Sequence, residues 1–381
     1  MRFLAVTLST TGGDWPSVAE LALGLRARGH DVHVLGDEPV LQALSGTSLS
    51  LTQWPAGLMP SEFRAFAEDA PPEERMGRRH TAWAEAARGF GAETVQRCGA
   101  DAVISQLLCA APARAFAEAA GLPWVFVNPS FYLGANPARP ISDDWPEMGL
   151  GLEHFLVPVI ESADLVLHAT DSAFDLVPTN LGAKHHYIGP LLWSPPGAVP
   201  PYLEEAGLPW ALVSLSTATM PDEGELASAI VRALAGRPVR VLVTGEAALA
   251  AEAARVAGDS VHVERFVPHD SVLKHAALLV SHGGHGIVMR AMQHGVPMVL
   301  VPWRRDQPGV AFRADRLGVA RVVTRSELSS AKLSEAIAEA LVDRRLQGAS
   351  AQAKLRLSQF SASDTGANLI EQLVDYHHSL R

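Results

Sequence analysis

At 381 residues, 48% of them hydrophobic, the chain is too long for one ordinary core and carries enough apolar side chains for two domains of about 190 residues each. Its formal net charge of -10 argues against nucleic acid or an anionic membrane surface as a partner. Two cysteines, Cys98 and Cys109, offer neither a disulfide framework nor metal-ligand spacing, which predicts buried free thiols in a reducing compartment.

Taken from the start, the apolar run Phe3 to Leu8 is too short for the core of a signal peptide, and turn residues follow it. No stretch approaches the roughly 18 apolar residues of a membrane span, so a cytoplasmic protein without integral membrane association is expected. Arg2 to Leu8 reads as a strand, Pro16 to Arg28 as a helix ended by Gly29, and Asp31 to Leu35 as a second strand. Ala102 to Ser105, Trp124 to Val127 and Leu165 to Leu167 are short buried strands, with helical periodicity over Pro112 to Ala120. That alternation implies a parallel, doubly wound α/β sheet. The segment Gly189 to Gly197, followed by Pro200-Pro201, is too rich in proline for a helix or a central strand and reads as a linker. From Trp210 onward the strand-helix rhythm begins again. The expectation is two Rossmann-like domains, residues 1–190 and 210–362, joined by a linker over 191–209, with parallel sheets facing each other across a cleft.

The densest chemistry lies between Arg265 and Gln307. The apolar run Ala277 to Val280 ends in Ser281 and His282, then Gly283, Gly284, His285 and Gly286 precede a helical pattern that continues to about Gln293. This predicts a buried strand, a tight glycine turn and a helix start. Such a turn leaves backbone N–H groups unpaired at the positive end of the helix dipole, with no Cβ to keep a ligand's oxygens away, which suits a phosphate. The imidazole of His282, neutral or cationic, can donate a further hydrogen bond there. A plainer reading, in which His282 finishes a strand and the glycines only make the turn, stands beside it at this level.

The rest of the stretch adds to the pattern. Gly295-Val296-Pro297, a second buried strand over 298–301 and the polar loop Pro302 to Pro308 follow the helix. Phe266-Val267-Pro268-His269, His282-Gly283-Gly284, Gly295-Val296-Pro297 and Asp306-Gln307 stand in the order and close to the spacing of a known signature. The segment resembles the donor-binding region of family 1 glycosyltransferases, the nucleotide-sugar enzymes of the two-domain GT-B fold. The resemblance implies that His282 and the N–H groups of Gly283, Gly284 and Gly286 hold a donor diphosphate, and Thr217 of the turn Ser214 to Thr217 is a candidate for a further donor. It also implies that the nucleobase lies against Phe266 and Val267, and that Asp306 and Gln307 bind sugar hydroxyls with Trp303 nearby. For Asp306 the alternative is a helix N-cap ahead of Pro308. Two positions depart from the family pattern: Ile287 stands where Thr, Ser or Asn is usual, and His285 where a small residue is common. His285 reads either as a replacement donor or as an exposed or hydrogen-bonded histidine at a helix start. Arg304 and Arg305 read either as partners of phosphate or an acidic sugar or as solvated surface.

In the N-terminal half, the loop Thr10 to Pro16 opens the first helix. In the resembling enzymes this loop carries the base that deprotonates the acceptor, and Asp14 falls on that position. The loop is one residue shorter before the proline than the common pattern. An Asp two residues before a Pro is also a good N-cap, so two readings of Asp14 stand. Where enzymes with a His base place an orienting Asp, this chain has Gln106. Beside a carboxylate base a second carboxylate raises the pKa by repulsion, whereas an amide can donate. The aromatic segments around Trp54, Met59, Phe63 and Trp83, and around Phe131-Tyr132, are implied to line a pocket for a hydrophobic acceptor of natural-product type, although aromatics at helical spacing are ordinarily core.

The function implied is an inverting transfer of a sugar from a dTDP- or UDP-sugar to a hydroxyl, with no metal or cofactor, by a monomer or homodimer. A carboxylate base favours O- over C-glycosylation. The last helical pattern, over residues 363–381, is implied to cross back onto the first domain. A nucleotide-sugar epimerase of the same fold, or a catalytically silent auxiliary protein, are the alternatives.

Overall fold

Strands such as Ala102–Ser105 and Leu165–His168 are buried at every position, as strands covered by helices on both faces must be. The computed structural model describes all residues except 10–12, 133–151, 216–222 and 246–260. The described residues form two compact units: one runs to Trp193 and is completed by Phe360–Arg381, the other spans Ser194–Gln359.

The N-terminal unit holds β1 (Arg2–Val6), β2 (Asp31–Gly36), β3 (Ser50–Gln53), β4 (Ala102–Ser105), β5 (Trp124–Asn128), β6 (Leu165–His168) and β7 (His185–Tyr187). They lie in the order β3-β2-β1-β4-β5-β6-β7, every pair parallel. The other unit holds β8 (Trp210–Ser214), β9 (Arg240–Thr244), β10 (Val261–Glu264), β11 (Ala276–Ser281), β12 (Met298–Leu300) and β13 (Ala320–Val322). Its order is β10-β9-β8-β11-β12-β13, again all parallel. Each sheet therefore winds outward in both directions from a central pair, β1 and β4 or β8 and β11. The carboxyl ends of such a pair are the topological switch point, where open α/β sheets bind ligands. The loops after β1 and β4 carry Asp14 and Gln106, and the loop after β11 carries His282. The switch point thus selects the positions singled out by sequence.

Over Leu51 to Arg97, short 3-10 segments lead into one long helix, Pro72–Cys98. Cys109 is buried and Cys98 only half-buried, and both are free thiols. The helix Ala362–Ser379 packs on the first helix, Trp15–Ala27, and puts Ala362, Ala367, Ile370 and Val374 into the N-terminal core. Gly366 makes the close approach: a Cβ there would lie 2.9 Å from Leu21 Cδ1. At the rim, the Glu371 carboxylate accepts from Arg28 (2.8 Å) and pairs with His30 (2.6 Å), which holds its pKa down at about 2. The proline-rich stretch is anchored near its two ends, with residues 196–199 exposed between. Leu191 is buried in the N-terminal core and Trp193 packs on Trp15 at 5.3 Å, whereas Leu203 is buried in the other unit. Among the described residues no helix is long and apolar enough to cross a membrane.

Candidate functional site

The glycine turn begins where β11 delivers Ser281. Gly283 takes φ +86, a left-handed value that favours glycine, and turns the chain into the helix His285–His294. Gly284 holds the N-cap position with extended backbone (φ -62, ψ 140) and supplies no side-chain cap. The first turn is therefore left uncapped from within its own segment, as an anion site at a helix start requires. His282 is 9% exposed, and burial lowers its pKa to about 4, so at neutral pH the ring is uncharged. Its Nδ1 lies 3.4 Å from the Ser214 carbonyl at the end of β8. A carbonyl only accepts, so this long bond places the ring proton on Nδ1. On the other side of the ring, a Cβ on residue 284 would sit 2.9 Å from His282 Nε2. Glycine at 284 keeps that nitrogen's space open.

His285 is buried at 6% exposure, which corrects the reading of it as an exposed histidine. Ile287 is buried in the same helix start. Thr217 lies outside the described residues. Phe266 is half-exposed and Val267 fully buried just beyond β10, so the ring of one and the main chain of the other are what this corner offers a flat base.

The loop after β12 departs from expectation in two places. Trp303, expected near the sugar, is 7% exposed and belongs to the core of its unit, with the Arg325 guanidinium 4.6 Å over its ring and its indole N–H buried without a partner. Gln307 is buried as well, and its Oε1 accepts from the backbone N–H groups of Trp303 and Arg304, both at 2.8 Å. Its amide thus shapes the loop. Between them Arg305 has φ +59, the one non-glycine residue with positive φ among those described. Such a conformation costs on the order of 1 kcal/mol and tends to persist where a loop is held for function. Asp306 occupies the N-cap position of the helix Gln307–Arg316, yet its side chain makes no capping bond.

Asp14 shows the same departure at the start of Trp15–Ala27: it stands at the N-cap with helical backbone (φ -85, ψ -39) and does not cap. For both aspartates the capping alternative raised by sequence fails, because the backbone there is already helical and the carboxylate cannot reach back to the first-turn N–H groups. Gln106 is completely buried; its Nε2 donates to Leu8 O (3.3 Å) and its Oε1 accepts from Leu108 N (2.6 Å). Its amide braces the loop after β1 through the backbone, in place of the expected bond to the Asp14 side chain.

Most of the aromatics expected around an acceptor are core. Trp54, Phe63 and Trp83 are 2%, 6% and 1% exposed in one cluster, with the Trp54 and Trp83 rings 5.5 Å apart and the Trp83 indole donating to Leu58 O (2.8 Å). Phe131 is completely buried and Met59 half-buried against the same kind of packing. Tyr132 is half-buried, and its hydroxyl donates to Glu161 Oε1 (2.5 Å), which with burial pushes its pKa far up. Glu161 in turn meets His185, and His185 meets His168, in a chain of buried polar contacts that the sequence did not signal. A surface cavity of about 570 Å³ opens on the long helix, lined by Phe66, Gly77, Thr81, Glu85, His154 and Phe155. Phe66 at its rim is 61% exposed.

Residues 230–374 match the family described as erythromycin biosynthesis protein CIII-like, C-terminal domain. The chain is 28% identical over 219 residues to 4'-demethylrebeccamycin synthase of Lentzea aerocolonigenes, covering 57% of this chain and 51% of that protein. It is 29% identical over 199 residues to demethyllactenocin mycarosyltransferase of Streptomyces fradiae, covering 50% and 41%. The chain spans about half the length of the curated relatives it matches. In fold it is similar to the glycosyltransferase VinC, solved in complex with dTDP, with a TM-score of 0.73 at 21% identity over 99% of this chain and 100% of that one. The chain thus has the GT-B fold along its length and is similar in sequence to glycosyltransferases of natural-product type.

Proposed function

We propose that the chain transfers a sugar from a nucleoside diphosphate donor, dTDP- or UDP-linked, to a hydroxyl of a hydrophobic small molecule. The observation that carries this reading is that Asp14 and His282 each follow a central strand at the switch point of their own sheet, and that Asp14 does not cap its helix. The names of the curated relatives and the dTDP bound by VinC support the choice of donor class.

In the proposed reaction Asp14 takes the proton of the attacking hydroxyl as its oxygen forms a bond to the anomeric carbon. The bond from that carbon to the diphosphate breaks, and the nucleoside diphosphate leaves with the electron pair. His282 and the N–H groups of the turn from Gly283 to Gly286 meet the growing charge on the leaving phosphate, the effect of fixed donors placed where charge develops. These donors serve where other enzymes use a metal ion. A single displacement inverts the anomeric centre.

The test uses dTDP-glucose and UDP-glucose with a steroid alcohol as acceptor. A β-glucoside from the α-linked donor, formed in the presence of a chelator, is the expected product. Asp14→Ala should bind dTDP as the unsubstituted protein does and lose transfer. Turnover of Asp14→Ala at the normal rate would remove Asp14 as the base, and an α-product would remove the single displacement.

A further inference from the structure

Asp37 is the residue after β2, on the strand beside β1, and it holds the N-cap position of the helix Glu38–Leu44 with the extended backbone a cap requires (φ -82, ψ 170). An aspartate so placed ordinarily accepts from the first-turn N–H groups of its helix. This one makes no capping bond. Its carboxylate is instead turned onto Ser9: Oδ1 and Oδ2 both accept from Ser9 N at 3.1 Å, and Oδ2 accepts from Ser9 Oγ at 2.6 Å. The group is 7% exposed, so these are bonds of a nearly desolvated carboxylate and correspondingly strong. A good cap has been given up for a grip on the neighbouring strand's outgoing loop.

That loop leads to Asp14. Just before it, Thr7 N is bound to Leu35 O on β2 (2.9 Å), and Leu8 O receives the amide of Gln106 from the end of β4 (3.3 Å). The strands on both sides of β1 thus each hold one residue of its exit. The thiol of Cys109 is pushed well up first by burial and then by the carboxylates of Asp37 and Asp14.

We propose that Asp37 is a positioning residue for the transfer step: by gripping Ser9 it fixes the exit of β1 and so the placement of Asp14. This rests on the reading of Asp14 as the base. Asp37 touches no substrate in this role; it acts through Ser9.

The experiment measures dTDP release from dTDP-glucose, with water or a steroid alcohol as attacking hydroxyl, for the unsubstituted protein and for Asp37→Asn, Ser9→Ala, the double variant and Asp14→Ala. Because a misplaced catalytic group costs up to about 100-fold, each single variant should lower kcat roughly 10- to 100-fold while dTDP binding stays unchanged. The double variant should be no slower than the slower single, since the Oγ bond lost in Ser9→Ala is one of those that Asp37→Asn already weakens. Normal kcat in folded Asp37→Asn, or in Ser9→Ala should Asp37→Asn fail to fold, overturns the positioning role. So do strictly additive losses. If Asp14→Ala turns over normally, the base assignment falls instead, and the two failures are told apart within the one assay.

Discussion

Gly284→Ala isolates the geometry around His282. The backbone at 284 (φ -62, ψ 140) is ordinary for alanine, so no strain arises from the main chain. The added methyl would lie 2.9 Å from His282 Nε2 and 3.5 Å from Cε1, so the conflict is with the imidazole alone. The ring is 9% exposed and has little room to retreat, and turning it sacrifices the Nδ1 bond to Ser214 O. An off-rotamer ring and one lost long hydrogen bond together cost about 1 to 2 kcal/mol of stability. With the neutral ring's proton on Nδ1, Nε2 donates only when the charge of a bound phosphate brings the ring a second proton; a displaced Nε2 forfeits that charge-assisted hydrogen bond, about 1.5 to 3 kcal/mol, or roughly 10- to 150-fold in the Kd for dTDP. Calorimetric titration with dTDP reads the second quantity and thermal melting the first. His282→Asn/Gly284→Ala should bind no more weakly than His282→Asn alone, because the methyl acts only through the ring it displaces. Normal dTDP affinity in folded Gly284→Ala, or additive losses in the double variant, would refute the placement of Nε2 in the donor site.

Two further outcomes follow from the packing. His80, His168, His269 and His282 have pKa values lowered to about 4, 3, 4 and 4, in each case chiefly by burial. The unfolded chain, with histidines near 6.5, takes up protons that the folded chain does not, so stability is full above about pH 6.5 and falls as pH drops towards 4, by up to about 1.4 kcal/mol per pH unit per histidine. Urea midpoints between pH 7.5 and 4 should decline over that window, and a flat series would contradict the buried neutral state of these rings. Gly366→Ala would press a methyl to 2.9 Å from Leu21 Cδ1 and 3.3 Å from Ile188 Cδ1, an overpacking that costs about 1 to 3 kcal/mol. An unchanged thermal melt in this variant would mean that the last helix is not seated on the first as closely as the structure has it.

The features that sequence made legible are those with local causes. Glycines at 283 and 295 adopt left-handed backbone that few other residues tolerate, and they mark the strand-turn-helix of the donor segment. Continuous apolar runs bounded by turns marked β1 and β4, because a strand covered on both faces is apolar over most of its length. The aromatic segments were misread for the complementary reason. Trp54, Trp83 and Trp303 carry the same local pattern whether they line a pocket or fill a core, and only the neighbours brought to them by the fold decide. Asp37 was invisible, since Asp before Glu-Pro is an ordinary helix start and nothing local announces that its carboxylate turns to Ser9.

The division has one physical origin. Backbone preference, hydrophobic periodicity and motif order act over a few residues, and they were enough to place the strands, the glycine turns and the family signature along the chain. Which side chains a strand end meets depends on sheet order, which brings β2 and β4 to either side of β1 and β8 beside β11. Tertiary structure alone decided that Asp14 and Asp306 forgo their caps, that Gln106 and Gln307 brace backbone, and that His282 is buried and neutral between Ser214 and Gly284. Hydrogen bonds and desolvation are set by partners distant in sequence, and those partners exist only once the sheets have formed.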